Sequence, residues 1–388
     1  MPNTLTGFTI TRLEFPRERP IGDSQIRVDM MRLAVLELTD THGRVGTGFM
    51  GASQLYPLPA EAELTRVFAT EVWPGLRGQA PAALTHRISR PRGGNIRALP
   101  YSLDDALDQA AWDLTAQALG LPLYRLLGGD QPRVRAYASG LDFHLSDAEL
   151  IWLFGRAAAL GFEAFKVKVG HPDLEWDIHR LRLVRGVVGD HAPLMADANE
   201  AWPPGEAIRR LHAYHRAGIE LLWIEDPCLR LDFAGLREVR AAVPFTLVNS
   251  GEYLGLGDKR RLIEAHAVDM LNIHGSYTGG LRAAWLAHDY GLQVSLGNTF
   301  LEIGVHLAAA LPGNPWLEYS FQNYDHLAET PVQFAGGYAL APETPGHGIR
   351  LADAARQRWR QPEIGDVSGE TPPLSRLTQP DQPGALEE

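Results

Sequence analysis

Apolar and polar positions alternate early in the chain in two runs, FTITRLEF at 8–15 and IRVDMMRLAVLELTD at 26–40, followed by the turn-forming THGRVG at 41–46. Alternation with β-branched content predicts strands joined as a hairpin or meander. The period then changes. Leu103, Ala106, Leu107, Ala110, Ala111, Leu114, Ala118 and Leu119 keep a helical repeat. They predict a helix with Ser102 as N-cap, Asp104 and Asp105 in the first turn and Gly120 just past the end. The first third therefore reads as an α+β unit.

After Gly128 and Gly129, short apolar runs recur between helix-like stretches, at 134–140, 164–170, 193–199, 221–227, 245–253, 268–275, 292–298 and 316–320. Eight strands, each followed by a helical segment, predict a (β/α) barrel. A doubly wound open sheet is the competing arrangement, and the count of eight favours the barrel.

The active site of such a barrel lies where its strands end, so the polar residues closing each run carry the candidate chemistry. The second run closes with Lys166 and Lys168, the third with Asp197 and Asn199, the fourth with Glu225 and Asp226, and the fifth with Glu252. The sixth has Asp269 near its start and His274 at its end. Asp197, Glu225 and Glu252 are 28 and 27 residues apart, one βα unit each time, so neighbouring strands present one carboxylate apiece. Converging carboxylates raise one another's pKa unless a cation intervenes. All-oxygen ligation suits Mg²⁺ rather than Zn²⁺, which recruits His or Cys. The competing reading pairs each acid with a nearby Lys or Arg. Lys166 and Lys168, two apart on a strand, share a face. Mutual repulsion and burial are expected to lower their pKa values, which is how a lysine becomes a base near neutrality. A surface pair is the alternative, and flanking Phe165, Val167 and Val169 argue against it.

This ordered series, with Pro227 after Asp226 and AAWDLTAQALGLPLYRLLGG at 110–129, resembles the enolase superfamily, in particular its mandelate racemase and muconate lactonising branches. The resemblance runs from about residue 5 to residue 355. It implies a modified TIM barrel, (β/α)7β, with an N-terminal α+β capping domain: cap 1–129, barrel 130–325 and a segment at 326–360 returning to the cap, while composition marks 361–388 as a flexible acidic tail. It also implies Mg²⁺-assisted removal of the proton α to a carboxylate, giving an enediolate. By the same resemblance Lys168 is the base, Lys166 tunes it or contacts the substrate carboxylate, and Asp197, Glu225 and Glu252 hold the metal. Glu318 matches a position that donates to the enediolate, with a barrel-end salt bridge as its plainer role. A homo-oligomer is implied as well.

One face departs from the racemase pattern. The seventh run ends with Gly297 and Asn298 rather than a His, although Asp269 is present, so a His–Asp dyad is broken. In the muconate branch a second Lys closes the sixth strand, and His274 stands at that position. A histidine can serve as acid or base near neutrality, and a His tied to nearby backbone is the alternative. The expected reaction is dehydration of a small hydroxy acid or sugar acid, Lys168 abstracting and His274 protonating the leaving hydroxide. A racemase or epimerase, a cycloisomerase, and a non-catalytic ligand-binding barrel are the alternatives. Asn199, Asn298, Tyr56, Arg17 and Arg19 are candidates for reading the rest of the substrate.

Composition narrows the rest. With 388 residues, 45% hydrophobic and 21% charged, the chain can bury a large core. The net charge of −11 argues against nucleic-acid binding, and from Gln361 onward six acids face one base in a proline-rich tail. The single cysteine, Cys228, suits a reducing compartment. Neither a basic-then-apolar leader nor a membrane-length apolar run is seen, and the expectation is a soluble, cytoplasmic protein with no membrane partner. Gly46, Gly48 and Gly51 spell GxGxxG, but Tyr56, Pro57 and Pro59 follow where a dinucleotide-site helix should begin. His212 and His215 lack a companion ligand.

Overall fold

The computed structural model describes residues 3–51, 58–84, 103–297, 303–320 and 324–364. The two alternating runs form β1 (Leu5–Gly22) and β2 (Arg27–Asp40), and β3 (Val45–Gly51) completes an antiparallel meander in the order β1-β2-β3. β2 is apolar on both faces for a physical reason. Met31, Leu33 and Val35 join the core shared with the barrel, while Ala34, Leu36 and Leu38 face a second core under helix α2 (Leu103–Leu119), which follows α1 (Glu61–Val67). Two of the GxGxxG glycines are explained by that second contact. A Cβ on Gly46 would strike the Ala110 carbonyl, and one on Gly48 the Ala106 carbonyl, so glycine lets α2 lie directly on β3. A short helix, α3 (Leu123–Leu126), leads into the barrel.

All eight predicted barrel strands are present: β4 (Arg133–Ser139), β5 (Phe165–Lys168), β6 (Leu194–Asp197), β7 (Trp223–Glu225), β8 (Leu247–Ser250), β9 (Met270–Ile273), β10 (Gln293–Leu296) and β11 (Trp316–Tyr319). Each pairs in parallel with the next, and β11 returns to β4, from Trp316 opposite Arg135 to Tyr319 opposite Ala138. That closing ladder excludes the open sheet. Among the described residues a helix follows each of the first seven strands: α4 (Asp147–Ala159), α5 (Leu174–Val188), α6 (Pro204–Arg216), α7 (Phe233–Ala242), α8 (Leu256–Glu264), α9 (Tyr277–Asp289) and α10 (Val305–Ala310). After β11 the chain forms a hairpin, β12 (Gln333–Ala335) and β13 (Tyr338–Leu340), whose second strand pairs antiparallel with β4. It ends in α11 (Asp353–Trp359), which packs on β1 of the cap. The architecture is therefore (β/α)7β with an N-terminal cap.

Strand alternation decides what the barrel interior contains. In FKVK, Phe165 and Val167 join the core outside the sheet, leaving Lys166 and Lys168 to the inside. Tyr137, Met195, Trp223 and Met270 form a separate interior cluster with Trp316 packed against it. Tyr137 meets Trp223 edge-on at 5.3 Å between ring centroids, and Lys166 Nζ lies 5.3 Å from the Tyr137 ring centre. Lys166 thus rests on an aromatic floor.

Candidate active site

Charged side chains from four strands and one loop turn into one buried space: Lys166, Lys168, Asp197, Glu225, Glu252 and Glu318. Lys166 Nζ lies 2.9 Å from Glu225 Oε2, 3.1 Å from Glu318 Oε1 and 3.4 Å from Asp197 Oδ2. Lys168 Nζ lies 2.6 Å from Asp197 Oδ2 and donates to Asn199 Oδ1 at 2.7 Å. Beneath Glu225, Asn272 donates to Oε1 at 3.0 Å and Asn249 to Oε2 at 3.4 Å, while Asn249 also bonds Ser295 at 2.9 Å. Three asparagine and serine side chains of apolar strands therefore support one carboxylate. Glu252 differs, because its Oε1 is buried with no hydrogen-bond partner.

The lysines do not behave as their spacing suggested. Burial alone would lower both ammonium groups, yet Glu225 and Glu318 hold Lys166 well above its ordinary pKa and Asp197 holds Lys168 above its own. Conversely, and against burial, Lys168 and Lys166 hold Asp197 down to about 2. Burial pushes Glu225 well up and, with Glu318 repelling it, Glu252 up to about 7. The acids are thus unequally paired. Asp197 is satisfied by the two lysines, and the net deficit of positive charge falls on Glu225 and Glu252.

Two further differences concern the acids. Asp269 sits at the opposite end of the barrel, on the segment entering β9, where Arg240 Nε donates to it at 2.7 Å and it accepts from Val248 N at 2.9 Å. It takes no part in the site. Among the described residues, the three carboxylates whose oxygens fall within 4.8 Å of one another are Glu225, Asp226 and Glu252, with Asp226 in the place expected for Asp197. The cause is local: Lys168 draws Asp197 toward β5, while Asp226 is held by Ser250 Oγ at 2.5 Å and by Arg230 at 2.7 Å. Asn199, Glu200 and Asp226 all adopt left-handed backbone, with φ of 45°, 65° and 40°. Such strain in non-glycine residues concentrates at functional sites, and here it lies just past the ends of β6 and β7.

His274 follows β9, where Gly275 (φ 96°) turns the chain and Ser276 caps α9. Its ring meets Tyr253 edge-on, 5.1 Å between centroids. The cap reaches this loop directly: Asp108 of α2 accepts from Thr278 N at 2.9 Å, and Trp112 Nε1 donates to Thr278 Oγ1 at 2.9 Å. A second cap contact on the mouth, among the described residues, is the end of β1 with the β1–β2 turn. Gly22 N donates to Leu141 O at 3.2 Å, Arg19 to Gly140 O at 3.0 Å, and Gln25 to the Asn199 carbonyl. Arg17 lies against Met31 and Tyr324 instead. Tyr56 and Asn298 fall outside the described residues.

The α2 clasp has a pH signature. Burial, then repulsion by Asp108 and Asp104, pushes Asp105 up to about 7. A carboxyl whose pKa rises on folding costs the folded state nothing below about pH 4, where it is protonated folded or unfolded, and its penalty grows as pH climbs toward 7. Asp105→Asn is therefore expected to match wild-type stability near pH 4 and exceed it at pH 8, by roughly 4 kcal/mol at most. Urea unfolding at the two pH values measures this, and an equal difference at both would contradict it.

Comparison with known proteins gives the same picture. Residues 7–128 match the family model of the mandelate racemase / muconate lactonizing enzyme N-terminal domain, and residues 153–355 that of the enolase C-terminal domain-like proteins. A protein from Mesorhizobium loti, provisionally named a mandelate racemase, has a crystal structure that superposes with a TM-score of 0.89 at 50% identity, covering 94% of this chain and 96% of that one. The L-talarate dehydratase from Polaromonas sp. JS666, solved with Mg and L-glucarate, gives 0.79 at 29% identity, covering 92% and 98%. The 3,6-anhydro-alpha-L-galactonate cycloisomerase of Streptomyces coelicolor is 34% identical over 67% of this chain and 71% of its own. Named activities among the relatives include those of dehydratases, epimerases and cycloisomerases.

Proposed function

Since the chain belongs to the mandelate racemase and muconate lactonizing enzyme family of the enolase superfamily, and is a lyase or isomerase of that superfamily, we propose that it dehydrates a sugar acid or small hydroxy acid through its α-proton. The observation that supports this reading is that the two candidate proton-transfer groups end or follow strands on opposite sides of a closed ring. Lys168 ends β5 and His274 follows β9, four strands away in a barrel of eight. A substrate α-carbon held over the barrel axis would have one of them on each side.

Lys168 Nζ takes the α-proton, and the C–H electron pair passes into an enediolate. The β-carbon–oxygen bond then breaks, hydroxide leaves with a proton from His274, and the enol product tautomerises to a 2-keto acid. Asp197, Glu225 and Glu252 would hold Mg²⁺, which supplies fixed positive charge for the substrate carboxylate and the enediolate. The unpartnered Glu252 oxygen and the all-oxygen donor set fit a hard cation. A cation shared by Asp197 would weaken that carboxylate's hold on the Lys168 proton. Burial and the Lys166 charge would then lower its pKa in the direction of a working base, against Glu318, which raises it. Lys166 stays between Glu225 and Glu318, where it can meet the substrate carboxylate. Asn199 orients Lys168, and the β1–β2 turn with Arg19 walls the pocket on the cap side.

The same pair across the ring would also serve an epimerase, with one residue delivering the proton to the face opposite the one from which the other removed it. Incubation with Mg²⁺ in D₂O against a panel of sugar acids and hydroxy acids, followed by NMR, separates the two readings. Dehydration predicts loss of the α-proton signal with a 2-keto acid product. Deuterium at the α-carbon with the epimer and no keto acid would select the epimerase, and neither outcome on any acid would overturn both.

A further inference from the structure

Helix α8 carries three consecutive cations, and they behave differently. Arg260 and Arg261 have side chains 55% and 68% exposed and pair with Glu264 and Asp258 on their own helix. Lys259 is only 4% exposed and, among the described residues, pairs with no carboxylate. Its ammonium donates instead to three main-chain carbonyls, Gly251 O, Glu252 O at 3.3 Å and Asn272 O at 2.9 Å. A lysine ammonium has three protons to give, and all three are used.

Those carbonyls lie where the sheet runs out. The β8–β9 ladder pairs Asn249 with Met270 and Ser250 with Leu271, and it stops there. The next residues of both strands would leave carbonyls without donors at the barrel mouth, in a buried setting where an unmet acceptor is destabilising. Lys259 fills that gap. It holds the turn at Gly251 (φ 110°) that swings Glu252 into the site, and it holds the backbone of Asn272, whose side chain bonds Glu225 Oε1 at 3.0 Å.

We propose that Lys259 is a positioning residue for the cation site, clamping β8 to β9 beyond their ladder and thereby fixing Glu252 directly and Glu225 through Asn272. The inference rests on the reading of Asp197, Glu225 and Glu252 as metal ligands. Burying an ammonium that forms no ion pair among the described residues is costly. Holding two ligands of the site in register explains what that cost maintains. Outer contacts of this kind typically govern metal affinity by 10–100-fold.

The test uses the full-length protein stripped of metal, titrated with Mn²⁺ alone and followed by electron paramagnetic resonance. Wild type is expected to bind one tight Mn²⁺. Lys259→Met, which keeps the stem and loses the donors, is expected to bind it roughly 10–100-fold more weakly, and to recover kcat at saturating metal. Lys259→Arg, which keeps cationic donors, is expected to recover most of the affinity. Lys259→Gln, too short to reach all three carbonyls, is expected to weaken binding as well and serves as the test if the Met variant does not fold. A folded Met or Gln variant with wild-type Mn²⁺ affinity would overturn the positioning role and leave the metal reading intact. No Mn²⁺ binding by wild type would overturn the metal reading itself.

Discussion

Lys168→Met is expected to lower the rate of α-proton exchange and of turnover by about 10³-fold or more, the upper part of the range for removing a general base, while the protein stays folded. The substitution keeps the buried stem and removes the only ammonium that Asp197 shares with Asn199 among the described residues. Asp197 retains Lys166 at 3.4 Å, so no carboxylate is left wholly unpaired, and the melting temperature should move by only a few degrees. Exchange followed by NMR in D₂O, with Mn²⁺ affinity measured alongside, separates loss of the base from loss of the site. Undiminished exchange in a folded, metal-binding variant would place the base elsewhere.

Glu252→Gln is expected to produce two effects of opposite sign. Glu252 is buried, its Oε1 has no hydrogen-bond partner, and Glu318 and Asp226 add like charge. Replacing it with a neutral amide of the same shape removes a ligand charge, so divalent-metal affinity and turnover should each fall by roughly 10²–10³-fold, the loss of a few kcal/mol of direct ion stabilisation. In metal-free protein the same change removes a buried, poorly compensated charge and should raise stability by about 1–4 kcal/mol. Thermal melts with and without Mg²⁺ test both arms: the variant should melt higher than wild type without metal and gain little when metal is added. A variant less stable than wild type in metal-free buffer would mean that Glu252 is satisfied by the protein and has no use for a cation.

Most of this site is legible in the sequence, because a barrel turns periodicity into geometry. Strand residues facing inward are polar only where chemistry or support requires it, so Lys166, Lys168, Asp197, Glu225 and Glu318 stand out inside otherwise apolar runs. The same signal marks Asn249, Asn272 and Ser295, which sequence reasoning missed; each is a polar residue facing inward in LVNS, MLNI or QVSL. Asp269 lies apart because position within the strand tells the two ends of a barrel apart, and it enters the sheet five residues before His274.

Electrostatics were harder to anticipate than placement. Two lysines on one strand face do repel, but the sequence does not say how close Asp197, Glu225 and Glu318 come, and those distances reverse the sign of the shift. Lys259 was hidden for another reason. In LGDKRRLIE a lysine beside two arginines looks like a solvated helix face, and nothing local shows that a ladder ends beneath it. The left-handed backbone at Asn199, Glu200 and Asp226 likewise leaves no mark in the sequence, since none of the three is a glycine.

How the acids share a cation is measured directly by anomalous X-ray scattering from crystals of the protein grown with Mn²⁺ and a sugar acid. The expected map has one peak bounded by Asp197, Glu225 and Glu252, with Lys168 Nζ released from Asp197 and facing the α-carbon. A peak held by Glu225, Asp226 and Glu252 with the Lys168–Asp197 pair still closed, or no peak at all, would contradict it.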